Sequence, residues 1–198
     1  MKRILLLLGV VLLLTACGND ETEETSAEPV EETDETVQVE ATSNAMDFAD
    51  KTNNFTVYDE YLYDYETIAR YTHDKEDDRG INKITFDDVT FRFGVLAVEE
   101  EDTGDQYIVL AGEAENNTEE TVYFAPHVEV VTSEQEQSES YNEGVGDMKP
   151  TVIKDAFSMI PIERGVPDSF EIIIYPPYTD DDEHKDIGTP IKAEFTLE

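Results

Sequence analysis

Basic residues are scarce in this chain. Thirteen Lys and Arg stand against 48 Asp and Glu, for a formal net charge of −35. That imbalance argues against nucleic acid and anionic lipid head groups as partners, since both are held by basic patches. Cations, cationic peptides and basic protein surfaces remain compatible with it. Tryptophan is absent and cysteine occurs once, as Cys17, so no disulfide can form within the chain. Any stable fold must therefore rest on an apolar core. The three histidines, His73, His127 and His184, are too far apart in sequence to form a local zinc motif. No Gly-x-Ser-x-Gly elbow, Ser-x-x-Lys pair or glycine-rich phosphate loop occurs. The expectation from these absences is a protein that is not an enzyme.

Long apolar runs are also missing, with one short exception. Lys2 and Arg3 precede Ile4–Leu14, which is apolar apart from Gly9. This run is too short to span a bilayer, which takes about 20 residues. It has the charged start and apolar middle of a secretory signal peptide. The run ends in Leu14-Thr15-Ala16-Cys17. That ending resembles the lipobox of bacterial lipoproteins, in which small residues precede the cleavage point and the cysteine thiol carries a diacylglycerol. The resemblance implies a signal peptide over 1–16, cleavage before Cys17, and a membrane lipid anchor through acylated Cys17 on the extracytoplasmic face. It also explains why an exported chain keeps a single cysteine, which would otherwise be an exposed thiol. Two or more acyl chains hold stably where one does not.

Residues 17–45 differ in composition. Acidic residues, Thr, Ser and Ala dominate from Gly18 to Ala45, and the stretch has no Lys, Arg or aromatic residue. Such a segment cannot bury enough apolar surface to offset the entropy of ordering it, and its like charges repel. The expectation is a disordered acidic linker that lifts a domain off the membrane. The remainder is of single-domain size and long enough to bury a core without disulfides.

Within that remainder, 46–80 forms a tyrosine-rich N-terminal extension. Tyr58, Tyr61, Leu62, Tyr65, Ile68 and Ala69 fit helical spacing, while Tyr61, Tyr63 and Tyr65 also fit one strand face. The reading favours a short helix or mixed segment at one end of the domain; the tyrosines are either a half-buried edge or a platform for peptide or carbohydrate. Over 81–198 the pattern is β. Near-alternate apolar residues run from Ile84 to Val95 with a shift at Asp87-Asp88, and from Tyr107 to Glu115 up to an Asn116-Asn117-Thr118 turn. Further strands are expected over Val122–Val131, broken at Pro126, and over Val152–Ile162, Ser169–Tyr175 and Ile191–Leu197. Glu134–Lys149 is expected to be a long polar loop. No helical pattern separates the strands, which excludes a parallel α/β sheet and points to an all-β antiparallel sandwich.

The stretch Gln106–Thr118, with Arg164-Gly165-Val166-Pro167 and the following Phe170–Pro177, resembles immunoglobulin-like lipoprotein domains of unknown function from Gram-positive bacteria. The resemblance implies an immunoglobulin-like antiparallel β-sandwich at the cell surface and supplies no catalytic residues.

The functional expectation is a membrane-anchored extracytoplasmic lipoprotein whose sandwich is a non-enzymatic binding or interaction module, with another cell-envelope protein as partner and no nucleic acid. An alternative is a calcium- or cation-dependent binding lipoprotein, with Asp180, Asp182 and His184 as the metal candidates. Neither this loop nor the other acidic turn, Glu99–Asp105, has EF-hand spacing. A third reading is a cell-wall hydrolase using two carboxylates. No other cofactor is expected. The lipid reading predicts that Cys17→Ala abolishes incorporation of radiolabelled fatty acid and shifts the protein from the membrane fraction to the soluble one. Unchanged labelling would contradict it.

Overall fold

The structure is a computed structural model and describes residues 40–59, 61–181 and 183–198. The expected signal peptide, Cys17 and the linker up to residue 39 lie outside the described residues. No helix among the described residues is long and apolar enough to cross a membrane.

The described part begins with β1 (Ala41–Thr42), α1 (Ala45–Ala49) and β2 (Val57–Tyr58), then enters the main strands β3 (Tyr65–Thr72), β4 (Asn82–Phe86), β5 (Val89–Glu100) and β6 (Gln106–Asn116). Next come β7 (Val122–Phe124), β8 (Val128–Thr132), β9 (Gln137–Glu139), β10 (Asn142–Gly144) and β11 (Gly146–Met148). The chain closes with β12 (Ile153–Ile162), β13 (Ser169–Ile174), β14 (Tyr178–Thr179) and β15 (Ile191–Leu197). The fold is all-β, as the alternating pattern predicts. One curled antiparallel sheet, ordered β10-β12-β6-β5-β3-β15-β13-β8-β9 with β4 on β5, supplies both layers of a β-sandwich. A small sheet, β11-β7-β14, closes one end, and β1 pairs in parallel with β2.

Alternation decides which side chains meet inside. Val89, Phe91, Phe93, Val95 and Ala97 of β5 point between the layers, with Ile108 and Leu110 of β6, Ile160 of β12, Ile172 of β13 and Phe195 of β15. The opposite side of β5 is also buried. Leu96 and Val98, with Val109, Ala111 and Met159, lie under Ala45, Phe48, Ala49, Tyr58 and Leu62. The cover is fixed by polar contacts. Asn44 caps α1 by accepting from Asp47 N at 2.8 Å. Asp155 Oδ2 accepts from Ala45 N at 3.1 Å and from the Tyr58 hydroxyl at 3.0 Å. At the other end of α1, the Arg70 guanidinium donates to the carbonyls of Ala49 and Phe48, which satisfies terminal acceptors the helix leaves open.

Three sequence expectations change. The tyrosine-rich stretch does not form a helix beyond α1. From Tyr65 it is a strand of the main sheet, paired with Glu100–Val95 of β5 and carrying an irregularity between Thr67 and Ala69. That shift mixes the faces and produces the helix-like spacing. The folded region also starts before Met46, because Ala41–Thr42 pair with Val57–Tyr58 and Ala45 is fully buried. Glu134–Lys149 holds three short strands rather than a continuous loop. Their polarity is that of sheet edges, which natural sheets keep charged.

Gly112 stands opposite Phe93 on β5. A Cβ there would sit 1.8 Å from the Arg92 carbonyl oxygen and 2.7 Å from Phe93 Cα, so the two backbones approach more closely than any side chain allows. Gly112→Ala should therefore destabilise the domain by at least about 3 kcal/mol in urea unfolding. A loss within about 0.5 kcal/mol would show that this close approach is not maintained.

Candidate functional site

Cys17 and the cleavage residues Leu14, Thr15 and Ala16 lie outside the described residues, as does Asp182. The two remaining metal candidates, Asp180 and His184, flank a turn organised by a different acid. Asp181 Oδ1 accepts from the Thr179 hydroxyl at 2.8 Å and from the backbone N–H groups of Glu183 and His184 at 3.0 and 3.2 Å. The Thr179 hydroxyl bond is the main reason the Asp181 carboxyl titrates below its usual range. His184 adopts φ 45° and turns its ring edge-on to Tyr178, 5.4 Å between centroids. Among the described residues, no group of three or more His, Cys, Asp or Glu is disposed to hold a metal ion. The earlier acidic turn links β5 to β6. There the Thr103 hydroxyl donates to Glu100 Oε2 at 2.8 Å, and Gly104 supplies the left-handed φ of 74°.

Sequence reasoning missed a Ser-His-Glu cluster at the seam where the curled sheet closes on itself. Ser140 N donates to the Val128 carbonyl of β8, and Tyr141 N donates to the Met159 carbonyl of β12. Two successive residues thus bridge the two ends of the sheet. The Ser140 hydroxyl donates to Glu143 Oε1 and accepts from Val128 N at 3.0 Å. His127 Nδ1 lies 2.8 Å from the same Glu143 oxygen and 3.2 Å from Ser140 Oγ. A relay needs the serine on one ring nitrogen and the carboxylate on the other. Here both face Nδ1, and Ser140 is buried. The geometry is that of a polar staple rather than of an activated nucleophile. Twelve residues separate His127 from Ser140, and no short motif marks the pair.

Several tyrosines meet on the outer surface of the sheet. Tyr65 of β3 meets Tyr107 of β6 edge-on at 5.6 Å, and Tyr107 meets Tyr141 at 5.8 Å. Tyr61 lies on Phe157 of β12 at 4.4 Å and beside Tyr58 at 5.3 Å. The buried Phe157 ring packs over Gly144, opposite it on β10, where a Cβ would sit 2.2 Å from the ring. The aromatic rings therefore border the α1 cover on the outer face of one layer. Tyr61, Tyr63 and Tyr141 are 40, 67 and 58% exposed. Burial, with Tyr141 close by, pushes the Tyr107 hydroxyl up to about 12. Tyr65 and Tyr141 are raised as well, again chiefly by burial, with Glu100 adding to both. The tyrosines are thus partly buried and partly exposed in one surface.

No protein-family model matches the chain, and no curated protein matches it.

The raised Tyr107 hydroxyl has a definite pH signature. Below about pH 10 the phenol is neutral in both folded and unfolded chains, and its contribution to stability is constant. Above that value the unfolded chain loses the proton first, so stability falls until the folded phenol ionises near 12. Denaturant unfolding between pH 8 and 12 should show this fall, and Tyr107→Phe should make it shallower. An identical slope in the variant would contradict the assignment.

Proposed function

We propose that the chain is an extracytoplasmic lipoprotein, held at the membrane by acylated Cys17, whose β-sandwich is a non-enzymatic binding module. Its contact surface is the tyrosine face, and its partner is a cell-envelope protein presenting Lys and Arg. The observation that carries this reading is the exposed pair Tyr61 and Tyr141, packed against Phe157 of β12 and Tyr107 of β6, with exposed Tyr63 two residues from Tyr61 in the turn before β3. Tyrosine offers a large contact area, an apolar ring and a polar tip at low entropic cost, which suits protein contacts. The surrounding charge sets the partner's sign. Asp105 and Glu100 lie close enough to Tyr107 to act on its hydroxyl, so cationic side chains gain both ion pairing and ring contacts. The lipobox-like ending and the acidic segment after it would place such a module outside the cell and off the membrane surface.

Capture of cell-envelope proteins on the full chain tests this. A partner should be recovered by the wild type, with recovery falling at least tenfold in a Tyr63→Ala/Tyr141→Ala double variant of unchanged melting temperature. Recovery should also fall as salt rises from low to physiological strength. Equal recovery by both chains would reject the tyrosine face. A hydrolytic activity lost on changing one carboxylate would reject the non-enzymatic reading.

A further inference from the structure

A second feature lies away from the tyrosine face, where the sheet splits. β3 and β4 run end to end along the same side of β5, β3 against Glu100–Val95 and β4 against Phe93–Val89. β15 pairs with β3 only through Thr196–Thr72 and Leu197–Tyr71. Its other residues, Ile191–Phe195, pair with β13 alone. Beyond Thr72, β4 and β15 therefore face each other unpaired. One end of the gap is closed by His73 Nδ1, 2.8 Å from the Glu194 carbonyl. The other is closed by Gly188, where a Cβ would sit 3.1 Å from Phe86 Cα. Between them lies a cavity of ≈ 250 Å³. Its apolar lining comes from the inter-layer core, with Ile84, Phe93, Ile191, Ala193 and Phe195.

Two observations say what would fill it. Asn82 also lines the cavity, is 3% exposed, and stands opposite Phe93 on the core-facing side of β4. Its Oδ1 has no hydrogen-bond partner, and its Nδ2 reaches the Phe93 carbonyl only at 3.5 Å. A buried acceptor without a donor is costly, and native structures hold few of them. The remaining lining residues include Lys75, Lys83 and Lys192, all exposed. Three of the chain's 13 basic side chains thus gather at one opening on a protein of net charge −35. Lys192 lies 3.2 Å from Glu171, with both side chains largely exposed. Lys75 and Lys83 have no ion pair among the described residues.

We propose that this lateral cleft binds a small amphiphilic organic anion. Its apolar body lies on Phe93, Ala193 and Phe195, its anionic head meets the lysines, and a hydroxyl or amide N–H donates to Asn82 Oδ1. A cavity of about 150 Å³ accommodates benzene, so ≈ 250 Å³ suits a short acyl chain or one substituted ring. A slit closed at both ends does not suit a long peptide strand. The occupant is a monomeric anion free in the medium; a membrane lipid bearing the same chemistry is the competing source.

The test is calorimetric titration of the full chain with 3-hydroxyoctanoate, octanoate and 1-octanol, and sedimentation with phosphatidylglycerol vesicles. The cleft predicts one saturable site for 3-hydroxyoctanoate, with a Kd below about 1 mM for a ligand of this size. Affinity should be at least threefold weaker for octanoate, which lacks the donor, and at least tenfold weaker for 1-octanol, which lacks the charge. Ala193→Leu, which fills the cavity, should abolish binding. Lys83→Gln/Lys192→Gln, on the exposed side and not expected to disturb folding, should remove the preference for the anions over the alcohol. No saturable binding by 10 mM, equal binding of acid and alcohol, or affinity unaltered in a folded variant would overturn the proposal. So would binding seen only with vesicles.

Discussion

The burial of β5 on both faces is the constraint on which the rest of this structure depends. An antiparallel strand in a sandwich ordinarily shows one face to the core and one to water. β5 instead is buried from Val89 to Val98 with only Arg92 partly open. Its inner side holds the layers together through Phe91 and Phe93, and its outer side requires a cover. Residues 41–62 supply that cover, which explains why the N-terminal segment is pinned by Asp155 and Arg70 rather than left to splay. Gly94 fits the same arrangement: a Cβ there would lie 2.7 Å from the Ala49 carbonyl, so the covering segment descends onto the strand's backbone.

That arrangement also determines which rings reach the surface. With one outer face covered by α1, the aromatic residues at the border of the cover are the surface that the proposed function assigns to a partner. Charge is unevenly placed among the described residues. Glu100 and Asp105 lie by the tyrosines, whereas Lys75, Lys83 and Lys192 gather at the split between β4 and β15. One molecule thus offers a face suited to cationic partners and a cleft suited to a small anion. The polar staple of His127, Ser140 and Glu143 links the two ends of the sheet and accounts for the contact between Ser140 and His127.

Strand identity was legible wherever one face is buried and turn residues bound the run. Gln106–Asn116, Ile153–Ile162 and Ile191–Leu197 fall close to where alternation places them, and Asn116 does organise its turn, donating to the carbonyls of Glu120 and Met148, whereas the run from Ile84 to Val95 is two antiparallel strands that turn at Asp87-Asp88, where the sequence shows only a shift of the pattern. Legibility failed at β3, because the irregularity at Thr67–Ala69 breaks the period of two and lets Tyr65, Ile68 and Ala69 mimic a helix. It failed again over 134–149, where edge strands carry polar residues and look like loop. The tyrosine face was visible as composition but not as geometry, since Tyr107 and Tyr141 join Tyr65 only through sheet pairing. The lysine cleft was not visible at all, because it arises from two strands that part company after Thr72.

The central claim is that one face of this sandwich, and not its acidity in general, makes the functional contact. The most direct measurement is photocrosslinking in intact cells, with a photoreactive amino acid placed at Tyr63 on the tyrosine border or at Val131 on the exposed side of β8 in the other layer. The account predicts a discrete crosslinked species from position 63 and none of that mass from position 131. The same adducts from both positions, or from position 131 alone, would contradict it.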